Sequence, residues 1–387
     1  MNILLSLGLI LIIGLIATKI LKKIKLPAIT AYLLLGIFIG PFLLNLIADD
    51  LLKASGLISN VALSFIAFGM GQNFSKDTFK RLGKVVLWVS ILEAIGAWLL
   101  VSFALLFLKL PIYICIVFGA IATASAPAAL MMIIRQYRAK GEFTETLMGV
   151  VALDDAWGLI IFSVSIALAR ALYLHIDTGI IRVVFSSLIE IIGAFLLAGA
   201  VGFVFNKIAS RVQTQVDTLV IILGVIFFTA GMAKLLGLSL LLACMFLGIV
   251  VVNIIESNSR YFESLRSVDW PIYQIFFVLS GANLELPILL KIGLIGTIYL
   301  FVRVAGKYIG TLIGCMITKA GSFIRKYLIL GLLPQAGIAL GMALIVKDEF
   351  PDYGNMIFTA IAATTVIYEL VGPVFVRIGL ERAGELT

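Results

Sequence analysis

Runs of about 20 apolar residues, long enough to cross a lipid bilayer as helices, follow one another along almost the whole of this 387-residue chain. Short, mostly basic loops separate them. Hydrophobic residues make up 62% of the chain and charged residues 13%, against roughly 45–50% and 25% in soluble domains. Too few polar residues remain to cover a water-soluble globule. Inside lipid each backbone polar group must be satisfied within its own segment, so runs of this kind become helices. The sequence therefore reads as an all-α, multi-pass membrane protein, a single integral domain over residues 1–387. The net charge of +8 sits in the loops, where it encodes topology rather than nucleic-acid binding. Cys115, Cys244 and Cys315 fall inside apolar runs without metal-ligand spacing, and the single histidine, His175, excludes a histidine-based metal site or triad.

Thirteen spans fit the pattern, near 2–22, 27–45, 51–71, 84–108, 111–135, 146–170, 180–207, 216–233, 237–255, 270–289, 291–317, 327–347 and 355–379. The first has no basic residues before it and Lys19, Lys22, Lys23 and Lys25 after it, the reverse of a cleavable signal peptide. Alternate loops carry most of the lysine and arginine, which predicts an outside N-terminus and a cytoplasmic C-terminus in the cell membrane. Arg303 and Lys307 belong to neither set of loops, because both fall within the eleventh span.

Thirteen divides as six, one and six. Two six-helix units joined by a single helix must run in opposite directions, the inverted-repeat plan of many secondary transporters. The first repeat is residues 1–170, the linking helix 180–207 and the second repeat 216–379. Weak internal similarity supports the division: Asp155-Ala-Trp-Gly158 in the sixth span matches Glu369-Leu-Val-Gly372 in the thirteenth. The span before each is interrupted, by Thr123-Ala-Ser125-Ala-Pro127 in one half and Pro334-Gln335-Ala-Gly337 in the other. Proline removes a backbone donor and clashes with the preceding turn. Unwound backbone at bilayer depth is tolerated where it lines a cavity or is buried in protein, and matched interruptions point to a transport site.

Between the interruptions lies a concentration of charge. Asp154 and Asp155 come about 12–14 Å along the sixth span at 1.5 Å per residue, near the bilayer midplane. A carboxylate at that depth costs on the order of 2.5–3.5 kcal/mol or more, and two adjacent ones repel. Successive residues of a helix diverge by about 100°, so one aspartate can meet a neighbouring helix while the other faces a cavity. Arg303 and Lys307, four residues apart, share a helix face. Glu93 and Glu369 add two acids, so four acids (Glu93, Asp154, Asp155, Glu369) face two bases and leave a deficit of two positive charges. Protons or a hard monovalent cation would fill it. The oxygen ligands such a cation needs are available from an aspartate, freed carbonyls and the hydroxyls of Thr123 or Ser125. Glu93 and Arg303 are also candidates to pair with each other. A carboxylate that binds a cation when ionised and a proton when empty exchanges the two by competition.

The Ala-Leu-Asp154-Asp155 segment, the Thr-x-Ser-x-Pro break before it and Arg303-x-x-Gly306-Lys307 resemble the NapA-type members of the monovalent cation:proton antiporter-2 family, over essentially the whole chain. The resemblance implies the NhaA/NapA-like fold, with two broken helices crossing at the ion site. It implies Asp155 as the principal metal-ion ligand and Asp154 paired with Lys307, flanked by the breaks at Thr123–Pro127 and Pro334–Gly337. It also implies a homodimer whose core helices, about 84–170 and 291–379, slide as an elevator. One departure is Gly69-Met-Gly71-Gln72-Asn73, where many relatives have Gly-Leu-Glu. The chain also stops soon after the thirteenth span, without the nucleotide-binding regulatory domain of potassium-efflux relatives.

The expected activity is exchange of sodium, or of lithium or potassium, for protons, with no cofactor and no enzymatic reaction. A potassium/proton antiporter is the alternative within the family. A cation channel fits less well, since channels use symmetric rings or carbonyl filters and these acids are single and paired with a base. An intramembrane aspartyl protease needs carboxylates that face each other from separate helices, and Asp154 and Asp155 sit side by side on one.

Overall fold

A computed structural model describes residues 2–23, 28–76, 83–126, 130, 133, 134, 137–174, 180–209, 214–255, 258–283, 293–335 and 337–386. Among them the chain is helical throughout: α1 Ile3–Lys23, α2 Ala28–Ile39, α3 Asp49–Lys53, α4 Ser55–Gly71, α5 Lys84–Leu106, α6 Ile112–Ala122, α7 Glu142–Leu174, α8 Ile180–Ala209, α9 Gln215–Leu235, α10 Leu240–Ile254, α11 Ser259–Ala282, α12 Gly293–Ile317, α13 Ser322–Leu332, α14 Gly337–Glu349 and α15 Pro351–Arg382. A 3₁₀ turn, Gln72–Phe74, follows α4. Seven of these helices hold stretches long and apolar enough to cross a membrane: those in α1, α5, α7, α8, α9, α12 and α15. The other expected spans coincide with shorter pieces, for identifiable reasons. The fifth and twelfth spans are cut by their interruptions, so that α6, α13 and α14 have 11, 11 and 13 residues. The N-terminal part of α11 is polar, and the helix carries Pro271 within it.

Local chemistry explains several helix ends. Thr214 accepts from the Asp217 N–H at 3.0 Å to start α9, and Ser239 accepts from the Leu242 N–H at 3.3 Å to start α10. Pro351 opens α15, where its missing N–H costs nothing. After Ala122 the backbone of 123–126 is non-helical, as is that of 333–335 after Leu332.

The chain divides into two compact units. The first comprises Met1–Gly56, Leu82–Gly158 and Gln274–Thr387, and the second Leu57–Arg81 and Leu159–Tyr273. Within the second, α8 and α9 pack on α10, Asn253 of α10 accepts the Lys76 N–H at 2.8 Å, and Arg170 pairs with Glu190 at 3.3 Å.

The first unit holds every charged residue singled out above as a site candidate. Its closest packing is between α5 and α12. Gly306, Gly310 and Gly314, four residues apart, lie on one face of α12 and meet the α5 backbone at Gly96–Ala97, Leu92–Glu93 and Val89. A β-carbon on Gly310 would stand 2.1 Å from the Leu92 carbonyl oxygen. Small residues at this spacing let two membrane helices touch backbone to backbone. That contact brings Glu93 on α5 beside Lys307 on α12. A buried apolar cluster that includes Phe143, Leu147, Val150, Leu153, Leu328, Leu332, Val376 and Leu380 joins α7, α13 and α15.

Candidate functional site

Lys307 stands at the centre. Its ammonium donates to Asp154 Oδ2 at 2.9 Å, to Glu93 Oε2 at 2.8 Å and to Ser125 Oγ at 2.9 Å. An ammonium has three donors, and all three are used. The Lys307, Glu93 and Asp154 side chains are fully buried, at 0% exposure. Two carboxylates on one ammonium leave a formal charge of −1 in a dry setting, where an unbalanced charge is expensive. Glu93 Oε1 and Asp154 Oδ1, the oxygens turned away from Lys307, are buried without a hydrogen-bond partner. The two carboxyl groups also interact with each other.

Arg303, one turn earlier on α12, does something different from what the sequence suggested. It does not pair with Glu93. Its Nε donates to the Ala122 carbonyl at 3.0 Å, one terminal nitrogen to Ala124 at 2.7 Å and the other to Leu333 at 2.9 Å. The first two carbonyls end α6 and the third ends α13. The last carbonyls of a helix lack intrahelical partners and form the negative end of its dipole. Arg303 thus fastens two such ends with one planar, five-donor fork, a task that a point-like ammonium does less well. Tyr368 of α15 lies against it, ring centroid to guanidinium carbon 4.5 Å, and donates its hydroxyl to the Leu300 carbonyl.

The remaining carbonyls of the two broken ends are also occupied. Gln335 Nε2 donates to Ile121 at 3.0 Å and to the Tyr299 hydroxyl at 2.8 Å, while its Oε1 is buried without a partner. Thr123 donates to Ala120 at 2.7 Å, and Ser125 donates to Leu332 at 3.4 Å. Thr123 therefore turns back on its own helix, and Ser125 bridges Lys307 to the other broken segment. Both proposed hydroxyl ligands are already engaged.

The acid-x-x-Gly matches occupy comparable places. A β-carbon on Gly158 would lie 2.9 Å from Thr123 Oγ1, and one on Gly372 would lie 2.7 Å from Pro334 Cγ. Each glycine lets the interruption of its own half come close. Glu369 is buried on α15 one turn before Gly372 and is not among the partners of Lys307. Of Asp155 the structure describes only the helical backbone, next to Asp154 on α7, and Pro127 lies outside the described residues.

The reach of Arg303 to both breaks, and the parts played by Tyr299 and Tyr368, were not foreseen. Backbone acceptors leave no trace in a sequence. The Gly306-x₃-Gly310-x₃-Gly314 spacing is the one signal that places Glu93 against α12.

Comparison with known proteins agrees over nearly the whole length. The profile of the sodium/hydrogen exchanger transmembrane family matches residues 8–381. A probable Na(+)/H(+) antiporter 2 of Methanocaldococcus jannaschii is 25% identical over 406 residues, covering 97% of this chain and 92% of that protein. The ammonium/H(+) antiporter subunit AmhT of Alkalihalophilus pseudofirmus is 22% identical over 370 residues, covering 93% and 87%. The solved structure of the sodium proton antiporter MjNhaP1 from Methanocaldococcus jannaschii at pH 8 superposes with a TM-score of 0.74 at 22% identity, over 98% of this chain and 96% of that one. That likeness shows a shared fold.

Proposed function

The chain belongs to the sodium/hydrogen exchanger family, and from that premise we propose that it exchanges sodium for protons across the membrane, with Asp155 as the carboxylate for which the two ions compete. The observation that carries this reading is the arrangement around Asp155's neighbour. Asp154 is held by Lys307 at 2.9 Å, beside two interrupted helices whose ends Arg303 ties together. Asp154 is thereby committed to the protein. Asp155, about 100° further round the helix, is the acid left to serve the ion.

The chemistry needed of Asp155 is modest. A carboxylate at mid-depth must be neutralised, and a proton or a sodium ion does so equally well in charge. Occupation by one excludes the other, and that exclusion is the coupling. Lys307 and Glu93 hold Asp154 in place. Arg303 and Gln335 hold the broken ends, so that unwound backbone is available beside the site at no cost in unpaired carbonyls.

The finer architecture belongs to the same proposal. It comprises thirteen spans as two inverted repeats about a linking helix, the two breaks crossing, an outside N-terminus with a cytoplasmic C-terminus, and placement in the cell membrane. It also comprises a homodimer whose core, residues 84–170 and 291–379, moves as an elevator, and a NapA-type affiliation. The matched seating of Gly158 on one interruption and Gly372 on the other supports the repeat. The Asp154–Lys307 pair supports the affiliation.

The test is a cation panel. Purified protein in acid-loaded vesicles with a trapped pH dye is exposed to sodium, lithium, potassium or ammonium, one at a time. Sodium is expected to collapse the pH gradient at the lowest concentration. A response to potassium or ammonium alone would reassign the substrate, and cation flux without proton movement would replace exchange by a channel.

A further inference from the structure

The start of α7, the helix that carries Asp154 and Asp155, is held by a residue from the other end of the chain. Glu385 lies just beyond α15. Its Oε1 accepts the Phe143 N–H at 2.9 Å, and its Oε2 accepts the Thr144 N–H at 2.8 Å and the Thr144 hydroxyl at 2.7 Å. Its backbone carbonyl accepts the Lys140 N–H at 3.2 Å. The first N–H groups of a helix have no intrahelical partner, and a carboxylate is the group they favour.

That cap is ordinarily local. Here the residue before α7 is Gly141, at φ +152°, and a β-carbon on it would stand 2.2 Å from Glu385 Oε1. The sequence thus forgoes a side-chain cap of its own and keeps the space open for Glu385. At the other side of the contact, Gly384 at φ +70° turns the chain out of α15. Ala383 and Leu386 then pack against the apolar cluster that contains Phe143, Leu147 and Leu153. The fit is built from both ends.

We propose that Glu385 is a positioning residue for ion exchange: it pins the start of α7 to the end of α15, fastening the helix of Asp154 and Asp155 to the helix of Tyr368 and Glu369 at a second point. The inference rests on the exchange reading above. Phe143 precedes Asp154 by about 16 Å of helix at 1.5 Å per residue, so Glu385 acts through α7 and touches no ion. With the pin removed, the site is held by its own contacts alone, and the carboxylates lose register.

The experiment uses the full chain in vesicles, with Glu385→Ala, Glu385→Gln and Thr144→Val. Glu385→Ala is expected to raise the sodium concentration for half-maximal exchange about fivefold, equivalent to ~1 kcal/mol at 1.4 kcal/mol per tenfold, with the maximal rate little changed. Glu385→Gln, which keeps one acceptor, is expected to fall between it and the parent. Glu385→Ala with Thr144→Val is expected to equal the larger single effect, because both remove one contact. Amide hydrogen exchange at residues 143–146 is expected to quicken in Glu385→Ala. A lowered melting temperature with an unchanged half-maximal sodium concentration would make the contact merely structural and overturn the proposal. Unaltered amide exchange would also overturn it. If the unmodified protein exchanges no cation at all, the parent reading fails instead, and the amide measurement still reports whether the pin exists.

Discussion

Replacing Arg303 by alanine should unfasten both interrupted helices at once. The guanidinium makes three hydrogen bonds of 2.7–3.0 Å to the carbonyls of Ala122, Ala124 and Leu333, and Arg303 is fully buried. Water therefore does not replace it at these acceptors without reopening the packing. A hydrogen bond to a charged group contributes about 1.5–3 kcal/mol, so three amount to ~4 kcal/mol even at the lower end. The contact with Tyr368 adds to that. At ~2 °C per kcal/mol, the lower figure for larger domains, the variant should melt about 8 °C or more below the parent. Lysine at the same position keeps the charge but not the planar fork, so Arg303→Lys should recover part of the loss and not all of it. The assay is thermal unfolding of purified protein in detergent, followed by tryptophan fluorescence. An Arg303→Ala protein that melts within ~2 °C of the parent would refute the view that this residue ties the broken ends.

Other outcomes follow from the same geometry. Lys307→Ala should destabilise by about 3–5 kcal/mol, the cost of leaving a buried charge without its partner. Adding Glu93→Gln, which removes one of the two acids then left facing each other, should restore stability relative to Lys307→Ala in a melting-temperature cycle. If it lowers stability further, Glu93 is not a counterion of Lys307. Gly310→Ala places a methyl group 2.1 Å from the Leu92 carbonyl oxygen, and overpacking of this kind costs about 1–3 kcal/mol. It should lower the melting temperature, and an unaffected protein would mean that α5 and α12 do not touch there.

The legible part of the site was the part written in side chains and breakers. Pro127 and Pro334 marked interruptions, and the non-helical segments 123–126 and 333–335 lie at those places. The spacing of Arg303 and Lys307 placed both on one face of a helix, and both face the broken segments. Their division of labour was not legible. Arg303 could be expected to seek an acid, because a sequence shows acids and hides carbonyls. Its partners are instead three backbone oxygens. Glu93 was ambiguous for the opposite reason: its partner depends on the helix contact made by Gly306, Gly310 and Gly314, a pattern with no charge in it. The capping of α7 by Glu385 lies further still from sequence reasoning, since residues 143 and 385 come together through the folded chain alone.

The central claim is that Asp155 is where sodium and a proton compete. It is tested most directly by comparing the unmodified protein with Asp155→Asn in acid-loaded vesicles, at matched protein content and with folding checked by melting temperature. The account predicts that sodium dissipates the pH gradient in the first case, and that in the second it does nothing at any concentration while the protein still melts as a folded species. Sodium-driven proton movement that survives in folded Asp155→Asn would contradict it.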